Sequence, residues 1–128
     1  SDLTDHAPHE WEEKDQEFNL APSGFVGLET SVGAMLTHLY HTGIIDLMSL
    51  VNVMSTAQAK ILNLDAGVIA PGKDADLTFL DLDKEWTVDS SKFYSKGKST
   101  PFDEMIFKGK AAATIVNGKF VMKNGEVL

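Results

Sequence analysis

The sequence predicts an α+β fold, a helical segment followed by a small antiparallel β module. Apolar residues recur at three- and four-residue spacing between residues 28 and 63, the period of a helix with one buried face. From Gly67 onward β-rich runs at residues 76–82 and 113–116 replace that period. No helical pattern separates those runs, which points to an antiparallel sheet or half of a sandwich rather than to βαβ units.

Taken in order, residues 6–24 are acidic and irregular. Glu10, Glu12, Glu13, Asp15 and Glu17, with Pro8, Pro22 and Gly24, read as a long loop whose charges face solvent. Loops of that length are uncommon in compact domains unless they serve a function. Leu28, Val32, Met35, Leu36 and Leu39 form one helical stripe, and Gly43 suits the left-handed residue that closes a helix. Asp46 offers an N-cap for a second helix through Met54. Ser55-Thr56-Ala57-Gln58 has capping-box form for a third, ending near Asn63. His38 and His41 lie three apart on the first helix, and with no third ligand in sight they read as surface or packing residues. In the β module, Asn117-Gly118 between Ile115-Val116 and Phe120-Val121 is a type I′ hairpin signal, and Asn124-Gly125 suggests a second tight turn. Gly72-Lys73, Gly97-Lys98 and Gly118-Lys119 lack the upstream glycine of a phosphate loop and read as turns, leaving no nucleotide site.

Composition narrows the partners. At 128 residues with 43% hydrophobic content, the chain is long enough for a core. A net charge of −8 argues against nucleic acid or an anionic membrane, either of which calls for clustered Lys or Arg. The absence of Cys excludes disulfides and Cys-ligated zinc and fits a cytoplasmic location. No run approaches the length of a membrane span.

The chemistry concentrates at one place, Thr4-Asp5-His6-Ala7-Pro8-His9. An Asp and two His so close together put carboxylate and imidazole groups on a strand end. Metal-assisted hydrolases use such groups to hold a metal, to take a proton from water, or to grip an anionic substrate. By itself Asp5 could equally cap a helix or turn, and His6 reads as structural.

This motif resembles the signature on the last barrel strand of dihydroorotases of the amidohydrolase superfamily. Three further stretches match in order. Residues 20–30, Leu-Ala-Pro-Ser-Gly-Phe-Val-Gly-Leu-Glu-Thr, resemble the substrate loop that leads into the last barrel helix. Residues 67–77 are similar to the superfamily's lead-in to its small β domain, and residues 95–102 resemble a loop of bacterial dihydroorotases.

The resemblance implies that residues 1–65 are the end of a (β/α)8 barrel (last strand, substrate loop and helices). Residues 66–128 would be part of a small antiparallel β-sandwich domain. It implies zinc-dependent, reversible cyclisation of N-carbamoyl-L-aspartate to L-dihydroorotate in pyrimidine biosynthesis. Asp5 matches a ligand of a binuclear zinc centre that also shuttles a proton. His9 matches a substrate-binding histidine, and Ser23 and Gly24 match the pair completing the pocket for the substrate carboxylate. The family's remaining metal ligands, a His-x-His pair, a carbamylated lysine and two further histidines, have no counterpart among these residues. The chain alone is therefore expected to be inactive, to bind no zinc, and to self-associate or act as a homo-oligomer. Hydantoinases and allantoinases share parts of the pattern, and a non-catalytic scaffold domain is the remaining alternative.

Overall fold

The computed structural model describes residues 4–128. A single-turn helix α1 (Trp11–Lys14) interrupts the acidic loop, and its Glu10/Glu13 pair forms a reciprocal capping box. The acidic side chains around it are exposed, as their pattern predicts.

The first long helical run opens with a 3₁₀ turn (Leu28–Thr30) and continues through α2 (Ser31–Met35) into a π turn (Leu36–Tyr40). The π turn closes with His41 N–H donating to Leu36 O at 2.9 Å. Thr30, Gly33 and Leu36 are its buried residues. The predicted stripe is thus rotated: Leu28 is 62% exposed, while Val32, Met35 and Leu39 are half-buried. The cause is Gly33, whose missing side chain lets the helix settle where a Cβ would stand 2.7 Å from Phe107 and 2.8 Å from Trp86. Gly43, at φ +77, ends the run as expected.

Asp46 caps the next run by accepting from Ser49 N–H at 2.7 Å, and that bond holds its carboxyl below the usual carboxylate range. The run is unbroken: α3 (Leu47–Val51), a π turn (Asn52–Thr56) and α4 (Ala57–Ile61). The separate third helix expected at Ser55 does not form. Thr56 has helical dihedrals, and the Gln58 amide donates to Val53 O. With the chain already capped at Asp46, restarting at Ser55 would sacrifice helical hydrogen bonds for one cap. Asn63, at φ 52, follows the end of the run.

Strands β1 (Leu77–Thr87), β2 (Ile106–Val116), β3 (Lys119–Lys123) and β4 (Glu126–Val127) form one antiparallel sheet in the order β1-β2-β3-β4. Asn117 (φ 49) with Gly118 (φ 75), and Asn124 (φ 51) with Gly125 (φ 86), make the two predicted turns. β1 and β2 run far beyond the predicted segments because a bulge interrupts their alternation. The register shifts between Asp81 and Glu85, opposite Gly109 at φ +108, and Asp81 Oδ1 accepts from the N–H groups of Asp83 and Lys84 at 3.1 Å.

Helix and sheet are joined at that irregularity. His41 Nε2 donates to Leu82 O at 2.6 Å, and the Thr37 hydroxyl meets both backbone groups of Lys108. A Cβ on Gly109 would lie 2.6 Å from Leu36, so the helix seats directly on the bulge. The core is Val26, Val88, Phe93 and Phe107, flanked by Ala34, Trp86 and Phe102. His38 joins its edge, 5.7 Å from the Phe107 ring and 6.3 Å from Phe102, which gives it the packing role its sequence context suggested. No helix among the described residues is long and apolar enough to cross a membrane.

Candidate functional site

The segment expected to be a strand end has no regular secondary structure: no strand forms over residues 4–10. A strand requires a neighbour to satisfy its backbone groups, and among the described residues only one ladder-like bond exists, Ala7 N–H to Phe25 O at 2.9 Å. The segment is held by side chains instead. His6 Nδ1 accepts from Gly27 N–H at 3.1 Å and from Leu28 N–H at 3.4 Å, satisfying two donors at the start of the helical run. Both partners are donors, so the His6 ring proton sits on Nε2. His6 is thereby structural, as its sequence reading had it.

Three stretches of sequence that lie far apart converge around residues 6–9. Gly24, at φ +123, packs so closely that a Cβ would stand 2.8 Å from Ala7 O and 3.4 Å from His9 Cδ2. Gly97 closes the opposite side: its Cβ would fall 2.8 Å from Pro8 Cβ and 3.1 Å from His9 O. Val26 N–H donates to Ser99 O at 2.8 Å, tying the second stretch to the third. His9 is half-buried in this arrangement, with Nδ1 3.3 Å from Glu13 Oε2. Ser23, the residue before Gly24, is exposed. Asp5 lies at the exposed head of the same segment.

Two charged residues that pattern reading passed over fasten the loops. Lys14 Nζ donates to Pro22 O and to Gly24 O, each at 2.9 Å. Glu29 accepts from Tyr94 N–H at 3.1 Å and from Ser95 N–H at 2.9 Å, which draws the loop bearing Gly97 against His9. Lys14 sat in an acidic run and Glu29 on an exposed helix turn, and such charges ordinarily face solvent. The one signal was the position of Glu29 inside the motif at residues 20–30.

Among the described residues no three His, Cys, Asp or Glu side chains group as metal ligands. Of the nearest candidates, His6 Nδ1 is taken by backbone donors, and the Asp5 carboxylate with His9 Nε2, whose Nδ1 meets Glu13, makes two donors at most. A zinc site needs three or four protein ligands. The donor set of these residues does not fit a metal by itself.

The model of the amidohydrolase family matches residues 4–121, nearly the whole chain. The chain belongs to the amidohydrolase family. The family is one of hydrolases, whose members are generally metal-dependent. The chain is 46% identical over 121 residues to a dihydroorotase of Pelotomaculum thermopropionicum, covering 94% of this chain and 28% of that relative. It is 50% identical over 120 residues to a dihydroorotase of Geobacter metallireducens, again with 28% of the relative covered. It thus spans little more than a quarter of the length of these amidohydrolases. Among solved structures, the L-hydantoinase (dihydropyrimidinase) of Arthrobacter aurescens superposes with a TM-score of 0.80 at 43% identity, covering 84% of this chain and 24% of that one. The dihydropyrimidinase of Brevibacillus agri superposes with a TM-score of 0.87 at 25% identity, covering 97% of this chain and 28% of that one.

Proposed function

We propose that this chain is the C-terminal part of a dihydroorotase, a cytoplasmic enzyme of pyrimidine synthesis interconverting N-carbamoyl-L-aspartate and L-dihydroorotate. Residues 1–65 would be the end of its barrel and residues 66–128 part of a small β-sandwich, to which the four-stranded sheet contributes one layer. The observation that carries the reading is the packing of Gly24 against Ala7 and His9. It sets an imidazole beside a glycine backbone that admits close approach, a combination suited to gripping a carboxylate.

Asp5 is the group for proton transfer. A carboxylate there can take the proton of the attacking water as it adds to the ring amide carbonyl, then return it to the departing nitrogen. His9, Ser23 and Gly24 hold the substrate carboxylate so that the amide faces Asp5. Zinc belongs to this proposal only through donors outside the chain, with Asp5 as one ligand among them. Without those donors the chain by itself is inactive.

A second reading, hydantoinase, is favoured by the 43% identity to the Arthrobacter L-hydantoinase. The two differ in whether the substrate carries a carboxylate beside the ring. Full-length enzyme assayed on L-dihydroorotate and on an uncharged hydantoin separates them. Turnover confined to dihydroorotate is expected; preference for the hydantoin overturns the proposal, and turnover of neither leaves the scaffold alternative.

A further inference from the structure

We infer that Lys14 is a positioning residue for the substrate-carboxylate pocket, an inference that rests on the dihydroorotase reading. Its Nζ donates to Pro22 O and Gly24 O at 2.9 Å each, straddling Ser23 in the sequence. The lysine thus fixes the Pro22–Ser23 and Gly24–Phe25 peptide units, and between them lies the Ser23–Gly24 unit whose backbone is to meet the substrate. Gly24, at φ +123, has no side chain to hold that conformation, and few other residues adopt it. The stem of Lys14 rises from α1, the turn that also carries Glu13, and Glu13 meets His9. One helical turn therefore sets both halves of the pocket: Glu13 aims the imidazole while Lys14 holds the loop opposite.

The ammonium does more than neutral donors could. Its remaining charge lies beside the loop that is to receive an anion, and carbonyls drawn toward Lys14 leave the intervening N–H groups free to face the substrate. Lys14 touches neither the reacting atoms nor the proton path. Its loss should therefore appear in substrate affinity and leave the chemical step alone.

The test uses the full-length enzyme carrying Lys14→Met, which keeps the stem and removes the donors, and Lys14→Arg, which keeps charge and donors. Lys14→Met is expected to raise KM for dihydroorotate roughly tenfold or more, with kcat within about twofold and metal content unchanged. Lys14→Arg is expected to restore most of the affinity. Wild-type KM in Lys14→Met overturns the inference, and so does a parallel collapse of kcat and metal content, which would assign the lysine to the fold. Should Lys14→Met fail to fold, Lys14→Gln, with a shorter amide donor, is to show the same selective rise in KM; an unchanged KM there overturns the inference equally. Active wild-type enzyme with an indifferent Lys14 variant defeats this inference alone. Wild-type enzyme without turnover defeats the dihydroorotase reading and this inference with it.

Discussion

Asn117 N–H donates to Asp76 Oδ1 at 2.8 Å, joining the end of the glycine-rich lead-in to a hairpin turn 41 residues later. Beside it, Gly118 N–H donates to Ala75 O at 3.0 Å. The stretch that resembles the superfamily's lead-in to its β domain therefore clamps the β2–β3 turn just before β1 begins. Replacing Asp76 with Leu removes the acceptor from a turn whose N–H then has no protein partner. A loss of about 1 kcal/mol in unfolding free energy is expected by denaturant titration, with Asp76→Asn nearer the wild type because its amide oxygen still accepts.

Asp5→Asn tests the proton-transfer assignment. In the full-length enzyme the amide can neither accept nor return a proton, so turnover should fall by roughly 10²–10⁴. Near-normal turnover would remove Asp5 from the chemistry.

His9→Ala should weaken binding of the carboxylate-bearing substrate, raising KM roughly tenfold to a hundredfold, while metal analysis finds unchanged content. Stoichiometric loss of metal would make His9 a ligand of the metal.

Gly33→Ala probes the seat of the helix on the sheet. A methyl there would press on the Phe107 and Trp86 rings, which meet edge to face at 5.5 Å, and Phe107 is fully buried. Overpacking of this kind costs about 1–3 kcal/mol, read as a lowered thermal midpoint. An unchanged midpoint would show that the rings move aside freely.

The isolated chain should self-associate and bind no zinc at micromolar concentration. Met48 is 74% exposed, Ile61 69% and Ile69 88%, apolar area that a free domain seldom presents. Sedimentation of the purified chain should show oligomers, and calorimetric titration with zinc should be flat. A strict monomer with a tight one-to-one isotherm would contradict both.

What the sequence disclosed depended on how local the signal was. Asn117-Gly118, Asn124-Gly125, Gly43 and the Asp46 cap act over a few residues, and each stands where its chemistry placed it. β1 and β2 were only half legible because Gly109 and the Asp81 turn break the alternation a strand reading relies on. Ser55 misled because a capping box looks the same whether or not an upstream residue has already started the helix. His9 and Gly24 were named as partners from motif likeness, but their contact is a tertiary fact. Lys14 and Glu29 carried no local signal, since a charge bonded to distant backbone reads like any solvated one.

The bond between Val26 N–H and Ser99 O has a consequence in time. A ribosome adding roughly 5–20 residues per second releases Ser99 several seconds after Val26. Throughout that interval the loop around Gly24 leans on Lys14 and the residue 6–9 segment. Assembly of the pocket therefore waits for residues 97–99, and a nascent chain stalled before Gly97 would hold Asp5 and His9 yet lack the wall that closes behind them.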